Sequence, residues 1–308
     1  MKEKFLFIID PLSSLKPYKD TSIFMMQYGS SNGFDIFCCE IKDLYVMENQ
    51  VGANAAEIKD PANQPLEKSN NKKMNLDQFC YVFMRKDPPV DQDFLNALYL
   101  LEKAAHDGVR IINHPASLQK FNEKVLALRF AQYMPHTVIG NDLQTLHDFK
   151  EQHESIIVKP LDGMGGDSIY KFDQISNHEE DIFKKLTNNF STQIMLQDFL
   201  PDIYDGDYRI LIIHGVPEKI ALARIPQKGS FKGNLAAGGT GIAKEITQHQ
   251  FEVASLIGVF LKAHDIAFAG IDMIGEYLTE INITSPTGAR EIYDQSQTNT
   301  IKNFFDNL

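Results

Sequence analysis

Short apolar runs alternate with amphipathic segments through the first 135 residues, and the runs are too brief for helices. Residues 5–9, closed by Asp10-Pro11, have the continuous apolar character of a central strand in a covered sheet. A helical pattern opens near Asp20-Thr21, carries Ile23, Phe24, Gln27 and Tyr28, and leaves at Gly29 or Gly33. Residues 34–39 and 79–84 repeat the strand signature. Residues 91–106 are amphipathic, with Phe94, Leu95, Leu98, Leu101 and Ala105 at helical spacing and Gly108 as the stop. Another strand at 109–113 leads into a helix through Leu118, Phe121, Val125 and Leu128. Strand and helix in alternation predict a doubly wound α/β domain over 1–120. Between its strands, 49–75 is polar, holds Pro61, Pro65 and KSNNKK, and is expected to be an exposed excursion.

Beyond Pro135 the pattern becomes short strands mixed with amphipathic helices, giving a central domain over 121–200 and a C-terminal one over 201–308. Helices are expected at 142–153, 178–190 and 247–264. Strands at 155–159 and 168–172 flank the cluster Gly163-Met164-Gly165-Gly166. Successive N–H groups in such a turn can form an anion-binding nest, and Lys159 at the end of the first strand would add a point charge. A flexible hairpin with a surface lysine has the same local sequence. A strand at 193–199 follows, and its edge continues as Gln197, Asp198, Phe199 and Leu200.

Farther on, Asp207-Tyr208-Arg209 opens an apolar strand, 219–225 pairs with it and carries Arg224, and 226–241 holds five glycines among sixteen residues. That loop is too poor in large apolar side chains to pack tightly, so it reads as a lid or a disordered connection, and glycine hinges beside a site favour the lid. Strands at 268–274 and 278–283 carry Asp272, Glu280 and Asn282. Two apart on a strand, Glu280 and Asn282 share a face, and with Asp272 they would make an all-oxygen site suited to Mg²⁺. The wet face of an edge hairpin fits the same three residues. Arg85 ends a strand at the sheet edge where open α/β folds place ligands, though a solvated charge cluster would look alike. Lys124 falls on the polar side of its helix, where a solvated lysine is the simpler reading.

The chain has 308 residues, 43% of them hydrophobic, and a net charge of −11, which disfavours nucleic acid and anionic membrane as partners. Its three cysteines have no metal-binding spacing and suit a reducing compartment. The apolar run FLFII is too short for a secretory leader and nothing approaches a membrane span, so a cytoplasmic location is expected. No G-x-G-x-x-G follows the first strand, which counts against a dinucleotide-dependent oxidoreductase.

Six strings occur in one order: MRKDPP at 84–89, NEK at 122–124, KPLDGMGG at 159–166, ARIPQ at 223–227, GNLAAGG at 233–239 and TEINITSPT at 279–287. With them the chain resembles the bacterial glutathione synthetases of the ATP-grasp superfamily, from Ile9-Asp10-Pro11 to about Glu291. The resemblance implies an ATP-grasp fold behind an N-terminal doubly wound α/β domain. It implies ATP phosphates on Lys124, Lys159 and the turn holding Gly163, Gly165 and Gly166, and the nucleotide against Gln197, Asp198, Phe199, Leu200 and Asp207. Mg²⁺ would lie on Asp272, Glu280 and Asn282. Arg209 and Arg224 would serve the reacting groups, and Arg85, Arg224 and Asn234 the peptide substrate.

The implied reaction joins γ-glutamylcysteine to glycine through an acyl phosphate, in a homotetramer. Another ATP-grasp carboxylate–amine ligase, or an idle nucleotide-binding module, would share much of this set. In the enterobacterial form the position of Thr240 is basic, and from Tyr293 onward the chain departs from the family.

Overall fold

A computed structural model describes residues 3–63, 65–163, 168–235 and 238–308 of the protein. Three sheets organise it. The first contains β1 (Lys4–Ile8), β2 (Asp35–Cys39), β3 (Leu44–Met47), β4 (Gln50–Ile58), β5 (Lys72–Asn75), β6 (Tyr81–Met84) and β7 (Ile111–Ile112), in the order β3-β4-β2-β1-β6-β7 with β5 also on β4. Pairing is parallel from β2 through β1 and β6 to β7.

Alternation along these strands sorts their side chains onto two covered faces. Phe5, Phe7 and Phe83 pack with Phe24 and Met25 of α1 (Thr21–Ser31), while Leu6, Ile8, Val82 and Met84 pack with Phe94 and Leu98 of α2 (Gln92–His106). The doubly wound expectation holds. Asp20 and Asp91 start the two helices by accepting from Ile23 N and Phe94 N.

Residues 49–75 depart from the expected excursion. β4 is a nine-residue strand with Val51, Ala53, Ala55, Ala56 and Ile58 buried, and it joins antiparallel to β2. Its small residues let it lie close in the core although the run is not strongly apolar.

The expected helix through 118–128 is two helices, α3 (Pro115–Lys120) and α4 (Glu123–Ala127). Asn122 separates them, because its side chain accepts from Lys124 N and Val125 N and so starts a new helix.

The second sheet holds β8 (Thr137–Gly140), β9 (Ile156–Pro160), β10 (Tyr170–Phe172) and β11 (Ile194–Asp198), in the order β10-β9-β11-β8, all antiparallel. Together with α5 (Leu143–Glu151) and α6 (Asn177–Leu186) it encloses a core of its own, built on Leu146, Phe149, Ile156, Val158, Phe183 and Ile194.

The third sheet comprises β12 (Asp207–Ile213), β13 (Val216–Pro217), β14 (Ile220–Ile225), β15 (Thr240–Glu245), β16 (Phe268–Ile274) and β17 (Tyr277–Asn282). Its order is β15-β14-β12-β16-β17, with β13 on β12. One face, with Ile210, Ile212, Ala221 and Ile271, is covered by Val253, Ile257 and Leu261 of α7 (Gln248–Lys262) in the same core as α2. The C-terminal helices α8 (Ala289–Ser296) and α9 (Thr300–Phe305) close the other core, where Phe304 packs edge-on to Phe83 and Phe268.

First and third sheets therefore share their interiors. Asn113, buried just after β7, stitches them: its amide donates to Phe268 O at 2.7 Å and Ile283 O at 2.6 Å, and its oxygen accepts from Ala267 N and Phe268 N, both at 2.9 Å.

Candidate active site

The polar face of the third sheet follows from its register. Arg209 lies opposite Asp272, Asp207 opposite Arg224, Asp272 opposite Glu280, and Gly270 opposite Asn282. Residues directly opposed across a sheet project to one side, so three carboxylates, two guanidinium groups and a carboxamide meet there.

Two glycines make the room. A Cβ on Gly270 would stand 2.7 Å from Arg209 Cδ, and one on Gly233 would stand 2.6 Å from the Arg224 carbonyl oxygen. Around Gly233 the loop is thus packed down on β14, although its composition argues against tight packing: a missing side chain permits close approach here. Its first residues are irregular and its end, from Thr240, is β15. Thr240 is exposed and faces Ile225.

The charges are interlocked. Arg209 forks onto Asp272, Nε to Oδ1 at 2.5 Å and Nη2 to Oδ2 at 2.9 Å. Arg224 Nη2 bridges Asp207 Oδ2 at 2.5 Å and Asp272 Oδ2 at 3.0 Å, and Asn282 Nδ2 donates to Asp272 Oδ2 at 3.2 Å. Burial raises Asp272, but Arg209 and Arg224 outweigh it and hold the carboxyl well below the usual carboxylate range. Asp207 goes the other way: burial, only partly offset by Arg224, pushes it up to about 6. Its Oδ1 is buried without a hydrogen-bond partner among the described residues, an acceptor left over at the cavity wall.

Lys124 is buried, contrary to its reading as a solvated lysine. Nζ donates to Gly163 O at 2.5 Å and pairs with Glu280 at 3.0 Å, tying the glycine turn to β17. Lys159, on β9 opposite Met195 of β11, is also buried. Burial lowers its pKa to about 8, against the pull of the Glu280, Asp207 and Asp272 charges.

Two cavities meet over this face. The first lies between the second and third sheets and is lined by Lys124, Lys159, Asp207, Asp272 and Glu280, with apolar walls at Ile157, Leu200 and Phe231. Gln197 sits in its wall with its amide donating to Thr137 Oγ1 at 3.0 Å, and Asp198 and Phe199 line the same side. The second cavity is walled mostly by polar and charged residues, among them Lys16, Lys19, Asp20, Asp87, Arg209 and Arg224. Gly163, Asn234 and Glu280 belong to both walls.

The sequence-predicted set therefore converges, apart from three residues. Gly165 and Gly166 lie outside the described residues. Arg85 lines neither cavity; it is buried beneath them, donating to Ser22 Oγ at 3.1 Å and Pro286 O at 2.9 Å, with its guanidinium 5.3 Å from the Phe268 ring centroid. Burial lowers its pKa to about 10. It props the loop that forms the cavity floor.

Sequence reasoning passed over Glu123, whose Oε1 accepts from Ile283 N at 2.6 Å, Thr284 N at 2.9 Å and Thr284 Oγ1 at 2.9 Å and so pins the strand end that carries Asn282. It also passed over Lys16 and Lys19 in the loop after β1, although such loops at the carboxyl edge of an open sheet are where ligands bind.

Chemically, Asp272, Glu280 and Asn282 offer oxygen donors on adjoining strands, a set that suits a hard divalent cation. The lysines and arginines around them would neutralise phosphate and carboxylate.

Comparison with known proteins reads the same way. Residues 123–297 match the family described as "Prokaryotic glutathione synthetase, ATP-grasp domain", and residues 4–119 match "Prokaryotic glutathione synthetase, N-terminal domain". A glutathione synthetase of Vibrio parahaemolyticus is 39% identical, covering 94% of this chain and 92% of its own. One of Nitrosomonas europaea is 39% identical, covering 99% and 97%. Among solved structures, a peptide-associated ATP-grasp ligase of Chryseobacterium gregarium, in complex with ADP and a leader and core peptide, superposes with a TM-score of 0.65 at 15% identity, covering 100% of this chain and 98% of its own. The D-alanyl-alanine synthetase A of Vibrio cholerae gives 0.62 at 13%, covering 100% of both. At such identities these two establish the ATP-grasp fold alone. The two family matches divide the chain close to where the sheets do, and with relatives alike along nearly its whole length the chain belongs to the prokaryotic glutathione synthetase family.

Proposed function

We propose that the protein joins glycine to the cysteinyl carboxylate of γ-glutamylcysteine at the expense of ATP, giving glutathione, ADP and phosphate. The observation that carries the reading is the junction of the two cavities at Gly163, Asn234 and Glu280, ringed by Lys124, Lys159, Arg209 and Arg224. A nucleotide in the first cavity and a carboxylate in the second would meet there.

The adenine would lie along Gln197, Asp198, Phe199 and Leu200, with the unpartnered Asp207 oxygen accepting from a hydroxyl. Lys124, Lys159 and the glycine turn would hold the β- and γ-phosphates. Mg²⁺ fits Asp272, Glu280 and Asn282, where it would supply charge neutralisation across the phosphates.

A carboxylate oxygen of γ-glutamylcysteine attacks the γ-phosphorus as the bond to ADP breaks. The amine of glycine then attacks the acyl carbon, phosphate leaves and the amine sheds its proton. Arg209 and Arg224, which need new anionic partners whenever Asp272 turns to a cation, would meet the carboxylate and the acyl phosphate. This chemistry needs position and charge more than a covalent protein group. The loop after Arg224, which comes down on that residue at Gly233, would keep water from the acyl phosphate. In this reading the enzyme is a cytoplasmic homotetramer, which sedimentation velocity would check.

The test is ADP release with Mg-ATP and γ-glutamylcysteine, with and without glycine, beside Asp272→Ala. One ADP per glutathione, only with glycine and lost in the variant, is expected. Turnover with a different carboxylate and amine only would overturn the substrate assignment and leave the ligase chemistry standing.

A further inference from the structure

Behind the wall of the nucleotide cavity, at one end of the second sheet, Asp198 of that wall converges with two histidines that the proposed reaction does not use. His136 directly precedes β8, His153 lies in the turn before β9, and Asp198 ends β11. Because β11 sits between β8 and β9, the three come from neighbouring strands at the same edge. Backbone bonds fix that edge: Asp198 N donates to His136 O and Phe199 N to Ser155 O, both at 3.0 Å.

One ligating atom from each of the three residues lies within 4.8 Å of the others. The imidazole of His153 is nearly covered, packed on Phe149 at 4.3 Å between ring centroids, and its Nδ1 is 3.5 Å from Asp198 Oδ1. The ring of His136 stands 5.2 Å from that of His153 and is exposed.

We propose that His136, His153 and Asp198 form a site for a divalent transition metal of the Zn²⁺ type. Two imidazole nitrogens and one carboxylate are the donor set of such an ion and a poor one for Mg²⁺, which prefers oxygen alone. Ligand atoms around a tetrahedral Zn²⁺ stand about 3.3 Å apart, given bonds of about 2.0–2.1 Å. His153 Nδ1 and Asp198 Oδ1, at 3.5 Å, are already close to that value, and the exposed His136 is the ligand that would have to move in. Three protein ligands would leave a fourth position for water, as in zinc sites with an open coordination position. Asp198 is also part of the nucleotide wall, next to Gln197 and Phe199. Metal occupancy is therefore coupled to nucleotide binding, and by linkage each ligand changes the affinity of the other by the same factor.

Zn²⁺ is titrated calorimetrically into the full-length protein in excess Mg²⁺, which keeps the oxygen site filled. One equivalent of Zn²⁺ is expected to bind, and His136→Ala is expected to weaken it at least about tenfold. His136 is exposed and outside the reaction, so this variant keeps its fold and its turnover in the absence of Zn²⁺. His153→Gln gives a second reading. ATP affinity measured with and without Zn²⁺ should differ in the parent and not in His136→Ala. No Zn²⁺ binding, or binding equally tight in both histidine variants, overturns the site; an unchanged ATP affinity overturns the coupling.

Discussion

Asp272→Asn isolates what the carboxylate does before any ligand arrives. Asp272 neutralises two buried guanidinium groups, Arg209 through a two-bond fork and Arg224 through Oδ2, and it also accepts from Asn282. An asparagine keeps the shape but brings an NH₂ against donors already pointing inward, and leaves Arg209 and Arg224 with Asp207 as their remaining close carboxylate. Breaking a buried pair from one side costs about 3–5 kcal/mol. With an unfolding entropy of about 2.1 cal/mol/K per residue, 308 residues convert each kcal/mol to about 1.5 °C, so the melting temperature should fall by about 5–8 °C. Differential scanning fluorimetry in chelator measures this. ATP without metal should recover more of the loss in the variant than it adds to the parent, because its phosphates supply the missing negative charge. A melting point within about 2 °C of the parent would refute the reasoning, since the arginines would then be compensated elsewhere.

Lys159, lowered to about 8 by burial, would hold phosphate in its protonated form under the proposed function. The KM for ATP should be flat at pH 6.5–7.5 and rise through about pH 8, approaching about tenfold per unit. Lys159→Arg, which does not titrate there, should be flat, and a flat parent profile sinks the assignment. Glu123→Ala frees the strand end after Asn282 and should lower kcat by about a hundredfold, with Glu123→Gln restoring most of it; equal rates in all three would remove its positioning role. Asn113→Ala strands four backbone groups and should cost about 4 kcal/mol, at about 1 kcal/mol each, in urea unfolding; a loss below about 1 kcal/mol contradicts the count. Shortening the 226–239 loop should raise ADP formed per glutathione, and unchanged coupling would mean the loop does not exclude water.

Much of this was legible where local signals agree. The runs that became β1, β6, β12 and β16 are short and apolar, and the two-residue spacing of Glu280 and Asn282 fixed their common face. β4 was not legible, because alanines and a glycine in a polar stretch carry no strand signal until a neighbour covers them. Nor did composition reveal that the glycine loop packs closely, since close packing depends on which backbone atoms stand opposite. Arg85 shows the same limit from the other side: its place at a strand end was read correctly, but its partners Ser22 and Pro286 come from distant parts of the chain. Spacing likewise could not show that Asp272 is shared with Arg209 and Arg224.

The separate interior of the second sheet bears on how the enzyme turns over. The nucleotide cavity measures about 110 Å³, below the roughly 300–1,000 Å³ of small-molecule sites, while the second cavity beside it measures about 500 Å³. A lobe with its own core can loosen as one cooperative unit, whereas the first and third sheets, sharing two cores and clasped by Asn113, open only together. Admission of ATP and escape of ADP would then be a matter of raising the lobe of β8–β11, α5 and α6 like a visor, with the second cavity undisturbed below. Amide exchange should be fast as a block in that visor and slow across β12 and β16, and the spent nucleotide could then depart without dismantling the cavity below.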